Sequence, residues 1–182
     1  MSPRASSYNT ILNAAEDVVI ESGASHMTLD AVAAKAGVSK GGLLHHFPSK
    51  VALLKAMIKH QIQIHQETRD KTIDAIPKGP SRELKGYILA ALNRNRYHDR
   101  LGVSLSAAMA HNLKLNEPVR EVVTENYARF ASLSALFKKA VVIALAADGL
   151  RLQEMFNISP FSEEQRAVII DELLRLADET SG

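Results

Sequence analysis

The sequence predicts an all-α protein of about nine helices, and three observations support this prediction. Apolar residues recur at helical spacing along most of the 182-residue chain, beginning with Ile11, Leu12, Ala15, Val18 and Val19. The alternation of β-branched and polar residues that is typical of strands is nowhere sustained. Residues that start and stop helices, chiefly Ser or Thr before a segment and Gly or Pro after it, bracket the periodic segments.

The N-terminal third contains four predicted helices. Thr28, Ser39 and Ser49 stand directly before the second, third and fourth helices, where a side-chain oxygen can accept a free backbone N–H. Gly23 and Gly37 follow the first and second helices, at positions where glycine often ends a helix. The predicted limits are about 7–22, 29–36, 40–46 and 50–76.

Five more helices are predicted in the remainder of the chain. The segment IPKGPS (76–81) is a loop because it holds two prolines and a glycine, and Ser81 is predicted to start the next helix. Ser132 or Ser134 is predicted to start the eighth, and Ser162 with Gln165 forms a capping box for the ninth. The predicted limits are about 81–99, 101–113, 116–132, 132–157 and 163–177.

Basic residues concentrate around the second and third helices. Two short helices joined by a glycine turn form a helix-turn-helix, whose second helix enters the major groove of DNA. The window Ala31–Gln66 holds five Lys and four His without any Asp or Glu, although the net charge of the chain is only +2. A compact helical unit with such a basic face attracts the DNA backbone, so we predict double-stranded DNA as a partner.

The residue types of the third helix suit a DNA groove. Lys40, at its start, is the candidate for contact with a base edge. Gly41 and Gly42 are poor helix formers whose bare backbone can approach the groove closely. Ser39 can donate to a phosphate, and Lys50 adds its charge to the positive end of the fourth helix, where phosphate binds well.

Composition excludes several classes of function. Because the chain has no cysteine, it can form neither disulfides nor thiolate metal sites. No apolar run reaches the roughly 20 residues of a membrane span, and the N-terminus lacks the apolar run of a signal peptide. A nucleophile elbow and a phosphate-binding glycine loop are also absent. We therefore expect a soluble cytoplasmic protein that is not an enzyme and needs no cofactor.

Apolar and aromatic residues on helices five to eight could line a cavity for a small molecule, with His65 and His111 as further candidates for ligand binding. The cavity candidates are Tyr87, Leu89, Leu105, Met109, Tyr127, Phe130, Leu133 and Phe137. A metal site made by His65, His98, Asp99 and His111 is an open alternative. No HxxxH or HxH pair supports it, so we assign no metal ligand.

The last two helices predict a homodimer. The ninth helix is apolar over much of its girth, more than the single stripe that a monomer's surface helix needs. In the eighth helix, Ala140, Ala144, Ala147 and Gly149 would allow another helix to approach closely. Two helices from each subunit would then form the interface, and two recognition helices would reach successive major grooves of a palindromic operator.

The stretch TLDAVAAKAGVSKGGLLHHFPSK (28–50), followed by the apolar VALL, resembles the DNA-binding domain of the TetR/AcrR family of bacterial transcriptional regulators. The resemblance covers roughly residues 8–60. It implies that Phe47 packs in the core of this domain. It also implies a DNA-binding domain at 1–50, continuing into the helix at 50–76, and an effector-binding and dimerisation domain at 51–182.

Contacts with DNA follow from this resemblance. Bases would face Lys40, Gly41 and Gly42. Phosphates would be contacted by Thr28, Ser39 and Lys50, and His45 and His46 would contact phosphate or the groove wall. Family members often have tyrosine where this chain has Leu44, which implies an apolar contact at this position, such as one to a thymine methyl.

These features together predict a ligand-responsive regulator of transcription. We expect a repressor that a small-molecule effector, of unknown identity, releases from its operator by shifting the population of dimer conformations. Two alternatives remain open from the sequence. One is a constitutive DNA-binding or scaffold protein without an effector, and the other is a metal-responsive regulator that uses the histidines of the C-terminal domain.

Overall fold

The computed structural model describes residues 3–131 and 137–180, with the backbone alone at 3–6, 130, 131 and 137. These residues form nine α-helices and a short 3-10 helix, η1, with no strand among them, which confirms the predicted fold class. No helix in this part of the chain is both long and apolar enough to cross a membrane. The helices are α1 Pro3–Ser22, α2 Leu29–Ala36, α3 Lys40–His46, α4 Lys50–Ala75, α5 Arg82–Ala91, α6 Arg96–His111, η1 Leu113–Asn116, α7 Glu117–Ala131, α8 Phe137–Met155 and α9 Glu163–Glu179.

The described helices fall into two compact units that interleave along the sequence. The first unit combines the chain up to Ile62 with Arg96–Arg120, and the second combines Gln63–Asn95 with the chain from Glu121 onward. Neither unit ends at residue 50, so the two predicted functional domains are not the same as the two units. The assignment of functions to 1–50 and 51–182 therefore stays a prediction.

The first unit has one apolar core, to which α1, α2, α3, α6 and η1 and the first half of α4 contribute. Phe47, directly after α3, is 2% exposed and packs in this core, as the resemblance implied. Residues of α1 at the predicted helical spacing are buried beside it. The most deeply buried large side chains are Ile11, Val19, Met27, Val32, Leu43, Leu53, Met57, Leu101 and Leu115.

The second unit has its own core between α5, α8 and α9. Ala140, Ala144 and Ala147 are fully buried in this core, packed with residues such as Leu84 and Ile88. The prediction that these three alanines allow a partner subunit to approach was therefore wrong, because they pack inside their own unit. Gly149 differs from them, since a side-chain carbon added to it would meet no atom within 4 Å.

The predicted helix at 81–99 was wrong, because it is interrupted after Ala91 and the chain re-enters helix only at Arg96. The end of α5 depends on a distant residue. Arg166 of α9 donates from Nη2 to the carbonyl oxygen of Leu92 at 2.6 Å, so that carbonyl needs no helical partner. Asn93 and Asn95, which follow, are poor helix formers. The predicted helix at 101–113 accordingly begins five residues earlier, at Arg96.

Most other helix limits agree with the sequence to within a few residues. Ser162 accepts the backbone N–H of Gln165 while the Gln165 side chain accepts that of Ser162, which confirms the predicted capping box. Ser81 does not cap α5, since its hydroxyl donates instead to Asp178 at 2.8 Å. The predicted start of the eighth helix at Ser132 or Ser134 lies outside the described residues, as does the cavity candidate Leu133.

Candidate nucleic-acid interface

Helices α2 and α3 are joined by the tight turn that the sequence predicts. Thr28 Oγ1 accepts the backbone N–H of Ala31 at 3.1 Å and so caps α2. Gly37 ends α2 with φ 66°, in the left-handed region that favours glycine. The next backbone N–H, that of Val38, bonds to the Ala33 carbonyl at 3.0 Å. These bonds fix the direction in which the chain enters α3.

The short helix α3 has one buried face and one exposed face. Leu43 is completely buried in the core, whereas its neighbour Leu44 is 37% exposed. Gly41 and Gly42 are exposed, so the backbone of this turn of α3 is open to a ligand. The structure thus leaves the predicted base-facing residues on the surface while Leu43 anchors the helix.

The hydroxyl groups that cap α2 and α3 can still donate a hydrogen bond to another partner. Ser39 Oγ accepts the backbone N–H of Gly42 at 3.1 Å, as Thr28 does for Ala31. Because each hydroxyl accepts in the cap, its own hydrogen stays available to donate to a phosphate oxygen. Both residues are exposed, so the predicted phosphate contacts are compatible with the caps.

The two adjacent histidines differ in surroundings. His45 is exposed, and His46 is half-buried with its ring edge-on to Tyr8 at a centroid distance of 6.2 Å. The rings of His45 and His46 lie 5.5 Å apart in a T-shaped arrangement. His45 is therefore the more accessible of the two candidates for a phosphate contact.

Lysines of the acid-free window have acidic partners from outside it. Glu21 pairs with Lys35 at 2.5 Å, Asp30 pairs with Lys40 at 2.9 Å, and Glu117 pairs with Lys55 at 2.5 Å. The expected one-signed basic face is thus partly neutralised by residues that are distant in sequence or lie just before the window. The charge count alone overestimates the positive charge that this unit presents to DNA.

Lys50 stands at the start of α4 but points its ammonium to the chain after α1. Its Nζ donates to the carbonyl oxygen of Ser25 at 2.7 Å. Partial burial lowers the pKa of Lys50, since desolvation disfavours its charged form. The carbonyl holds the ammonium group in one place without neutralising it, which suits a predicted phosphate contact.

A buried polar network, which the sequence analysis missed, joins α1, α4 and α6 within the first unit. The Glu16 side chain is only 5% exposed, and its Oε1 accepts from Gln61 Nε2 at 3.0 Å and lies 2.8 Å from His60 Nδ1. His98 Nδ1 lies 2.8 Å from Gln61 Oε1. Burial and the nearby Glu16 raise the pKa of Tyr97 to about 12. The signal in the sequence was the acid Glu16 among the apolar positions of α1.

The predicted ligand-binding residues are divided between the two units. Met109 packs against the core of the first unit and His111 is exposed at the end of α6, whereas His65 and Tyr127 belong to the second unit. Of the further cavity candidates, Leu105 is buried in the core of the first unit. The side chains of Phe130 and Phe137 lie outside the described part.

Tyr127 takes part in a polar cluster that sequence reasoning did not anticipate. Asp148 accepts from the Tyr87 hydroxyl at 2.6 Å and from the Tyr127 hydroxyl at 3.0 Å. Burial and the Asp148 carboxylate raise the pKa of Tyr127 to about 12 and raise that of Tyr87 further. Arg69 of α4, 9% exposed, donates to Asn126, and its Nε has no hydrogen-bond partner. Both tyrosine hydroxyls therefore converge on the Asp148 carboxylate, and Arg69 itself pairs with Asp70 at 3.4 Å.

The metal alternative is not supported by the geometry. Within residues 3–131 and 137–180, no three His, Asp or Glu side chains are close enough together to hold a metal ion. His98 contacts Gln61 in the first unit, and His65 belongs to the second unit.

Two family models match the chain over most of its length. The model for bacterial regulatory proteins of the tetR family matches residues 11–57, which include the helix-turn-helix. The model for the tetracyclin repressor-like C-terminal domain matches residues 81–178. The Tn10 TetC protein of Escherichia coli is 37% identical over 57 residues, 31% of this chain and 29% of TetC. The match therefore spans less than a third of that relative.

Solved structures share the complete fold. A transcriptional regulator from Rhodococcus sp. Rha1 matches with a TM-score of 0.68 at 19% identity, over 94% of this chain and 96% of its own. The flavonoid-responsive regulator FrrA matches with a TM-score of 0.68 at 24% identity, over 96% of both chains. A protein from Saccharomonospora viridis, solved in complex with choline, matches with a TM-score of 0.71 at 14% identity, over 96% of this chain and 95% of its own.

Two kinds of observation point to DNA binding. One is the exposed face of α3 with the capped turn before it, and the other is the pair of family matches. Members of this family are transcription factors and not enzymes. The chain belongs to the TetR family and is a DNA-binding regulator of transcription.

Proposed function

We propose that this regulator is a repressor that binds a palindromic operator as a homodimer and leaves it when a small molecule binds. The observation that carries the DNA-binding part is the division of α3 into a buried and an exposed face. Leu43 anchors the helix, while Lys40 and Gly41 stay accessible. A helix held in this way can enter the major groove without rearrangement of its own unit.

In this proposal, Lys40, Gly41 and Gly42 face bases, and Leu44 makes an apolar contact. The phosphate contacts belong to Thr28, Ser39, His45, His46 and Lys50. Because DNA is the partner, we place the protein in the cytoplasm. The exposed capping hydroxyls and the ammonium of Lys50 support the phosphate contacts, since each can donate to an anionic oxygen.

Selection of bound duplexes from a random library tests the DNA-binding proposal. We expect enrichment of a palindrome with half-sites about one helical turn apart. Lys50→Ala should weaken binding to every duplex and reduce the slope of log affinity against log salt by about 1. Lys59→Ala, a charge change at an exposed position further along α4, serves as the control. Equal affinity of Lys50→Ala and the wild type would refute the phosphate contact.

The dimer proposal rests on α8, which is apolar on two opposite sides. One side is the buried alanine face. On the other side, Val142, Leu145 and Leu152 are 65%, 55% and 52% exposed, and Phe156 continues the same stripe. The spacing of three and four residues is that of a seam between packed helices, and Gly149 lies in its middle. We assign this side of α8, rather than the buried alanines, to the partner subunit.

Helix α9 adds apolar surface to the proposed interface. A groove of about 370 Å³ on the second unit is lined by Phe161, Glu164, Gln165, Val168 and Ile169. Val168 is 67% exposed, so burying this side chain against a partner subunit would be favourable. Val168→Glu should convert a dimer into a monomer in sedimentation analysis. Val123→Glu, at an exposed valine of α7, is the matched control, and a dimeric Val168→Glu protein would contradict the interface.

The effector part of the proposal rests on the cluster of Tyr87, Tyr127, Asp148 and Arg69. Buried polar groups attract a ligand that completes their hydrogen bonds, and the Nε of Arg69 lacks such a partner. FrrA is named for its response to flavonoids, and the Saccharomonospora viridis protein was solved with choline, so proteins of this fold do bind small molecules. Met109, His65, His111 and Phe130 remain predicted ligand contacts.

A release assay separates the repressor from a constitutive DNA-binding protein. Operator complexes would be challenged with a library of small molecules, and hits would be repeated with Tyr127→Phe. We expect at least one compound to release the wild-type protein at a concentration that leaves Tyr127→Phe bound. Retention of the operator with every compound would favour the constitutive alternative.

A further inference from the structure

The candidate base-reading lysine of α3 is held by an acidic residue of α2. Lys40 Nζ lies 2.9 Å from Asp30 Oδ1 and 3.0 Å from Asp30 Oδ2, so both carboxylate oxygens contact one ammonium. Both side chains are well exposed, with 58% of Lys40 and 68% of Asp30 accessible. An ion pair this exposed adds little to the stability of the fold, so removing its charge tests DNA binding without unfolding the protein.

Asp30 lies among the residues that are proposed to contact DNA. It lies in the first turn of α2, two residues after Thr28, and its partner is the first residue of α3. Thr28 and Ser39, the caps of these two helices, are the proposed phosphate contacts. A carboxylate among them repels the DNA backbone, which lowers affinity for any duplex, whatever its sequence.

The effect of Asp30 on Lys40 differs between specific and non-specific complexes. A free lysine side chain is flexible and can follow the nearest phosphate, which is how non-specific complexes form. A lysine held by a carboxylate loses that pairing when it moves to a phosphate. If it stays in place, it presents its remaining N–H donors towards a base edge at little further cost in side-chain freedom.

We propose that Asp30 is a specificity-determining residue that positions Lys40 for base reading and penalises its use as a phosphate contact. The inference rests on the proposed sequence-specific binding of DNA by α3. Asp30 itself is a positioning residue, because it acts through Lys40. Its removal should raise affinity for unrelated DNA more than affinity for the operator.

The test compares affinities for the selected operator and for a scrambled duplex of the same length and composition. Asp30→Asn keeps the size of the side chain but removes its charge. We expect it to tighten binding to the scrambled duplex about tenfold and binding to the operator less than threefold, so the specificity ratio falls several-fold. Asp30→Glu retains the charge and should keep most of the ratio.

Glu21→Gln is the matched control. It makes the same change of charge in the same unit and also breaks a lysine–carboxylate pair, which joins Glu21 of α1 to Lys35 of α2 at 2.5 Å. Since Lys35 is not a proposed base contact, both duplexes should respond alike and the ratio should not change. A fall in the ratio as large as that of Asp30→Asn would show that charge alone, without Lys40, accounts for the effect.

A double-mutant cycle with Lys40→Met decides whether Asp30 acts through Lys40. In the Lys40→Met background, Asp30→Asn should leave the specificity ratio unchanged. A ratio that falls as much as in the wild-type background would overturn the inference, as would an unchanged ratio in the single variant Asp30→Asn. If the wild-type protein enriches no sequence at all, the proposed function itself fails, which is a distinct result.

Discussion

In the helix-turn-helix formed by α2, the turn at Gly37 and α3, the helix limits are set by contacts between near neighbours. Thr28, Ser39 and Ser49 each accept a backbone N–H from three residues further along the chain. The second unit is organised by contacts over long sequence distances. Ser81 bonds to Asp178, 97 residues away, and Tyr87 bonds to Asp148, 61 residues away. The helix limits of the first region are determined by residues that are close in sequence, while the contacts of the second unit form only in the assembled fold.

The two regions should therefore lose different amounts of stability on substitution. A substitution at one capping residue of the helix-turn-helix removes one local hydrogen bond and leaves the other caps in place. A substitution at a long-range contact of the second unit disturbs two elements at once, because neither end has a local substitute. We therefore expect larger losses of stability from single changes in the second unit.

The largest loss should follow Arg166→Ala. Arg166 pairs with Glu154, whose side chain is only 2% exposed, and also donates to the carbonyl of Leu92. Removal of the arginine leaves the buried Glu154 carboxylate, among the described residues, with the more distant Arg94 at 3.8 Å. It should cost about 3 kcal/mol of unfolding free energy in a denaturant titration.

The control for this prediction lies on the same helix. Arg175 bonds to Glu172 and Glu179 at the surface of α9, and water can replace these partners. Arg175→Ala should therefore leave the unfolding free energy in the same denaturant titration unchanged. Equal losses for the two arginine variants would contradict the importance of the long-range contact.

A somewhat smaller loss is expected from Gly86→Ala. A side-chain carbon added to Gly86 of α5 would lie 2.2 Å from Ile73 Cγ1 of α4, so the two helices would have to shift. Overpacking of this kind should cost about 2 kcal/mol, measured as a fall in the melting temperature. Ile73→Ala removes the clashing atom, so the double variant should lose less than the sum of the single changes. Simple additivity would refute the close approach.

Thr28→Ala should lower stability less than Arg166→Ala and Gly86→Ala do. It removes the cap of α2 and should cost about 1 kcal/mol. Thr28→Ser retains the capping oxygen and should behave like the wild type in the same denaturant titration. A loss from Thr28→Ala that exceeds the loss from Arg166→Ala would reverse the comparison between the two regions.

The same contrast explains which features were predictable from the sequence. The limits of α2 and α3 follow from Thr28, Gly37 and Ser39, because capping and left-handed turns depend on residues a few positions apart. The end of α5 was not predictable, since the side chain that satisfies the Leu92 carbonyl comes from Arg166. The small residues of α8 predicted a close approach of another helix without showing that the three alanines face the core of their own unit.

The candidate sites also contain features that were predictable from the sequence and features that were not. The surface position of Gly41 and Leu44 on α3 was predictable, because Leu43 and Phe47 mark the buried face of a short helix. The partners of the lysines were not, since Glu21 and Glu117 lie outside the window whose charge was counted. The pairing of Tyr127 with Asp148 likewise requires the fold, because the two residues belong to different helices.

The measurement that tests the central claim most directly is made on Gly41→Ala. A side-chain carbon at Gly41 would meet no protein atom within 4 Å, and alanine favours helix over glycine by about 0.5–1 kcal/mol. Melting temperature and operator affinity would be measured on the same preparation. If the exposed face of α3 lies against the floor of the major groove, the melting temperature stays the same or rises while affinity falls at least about tenfold. Unchanged affinity in a protein of unchanged or higher melting temperature would contradict the claim that α3 reads DNA at this position.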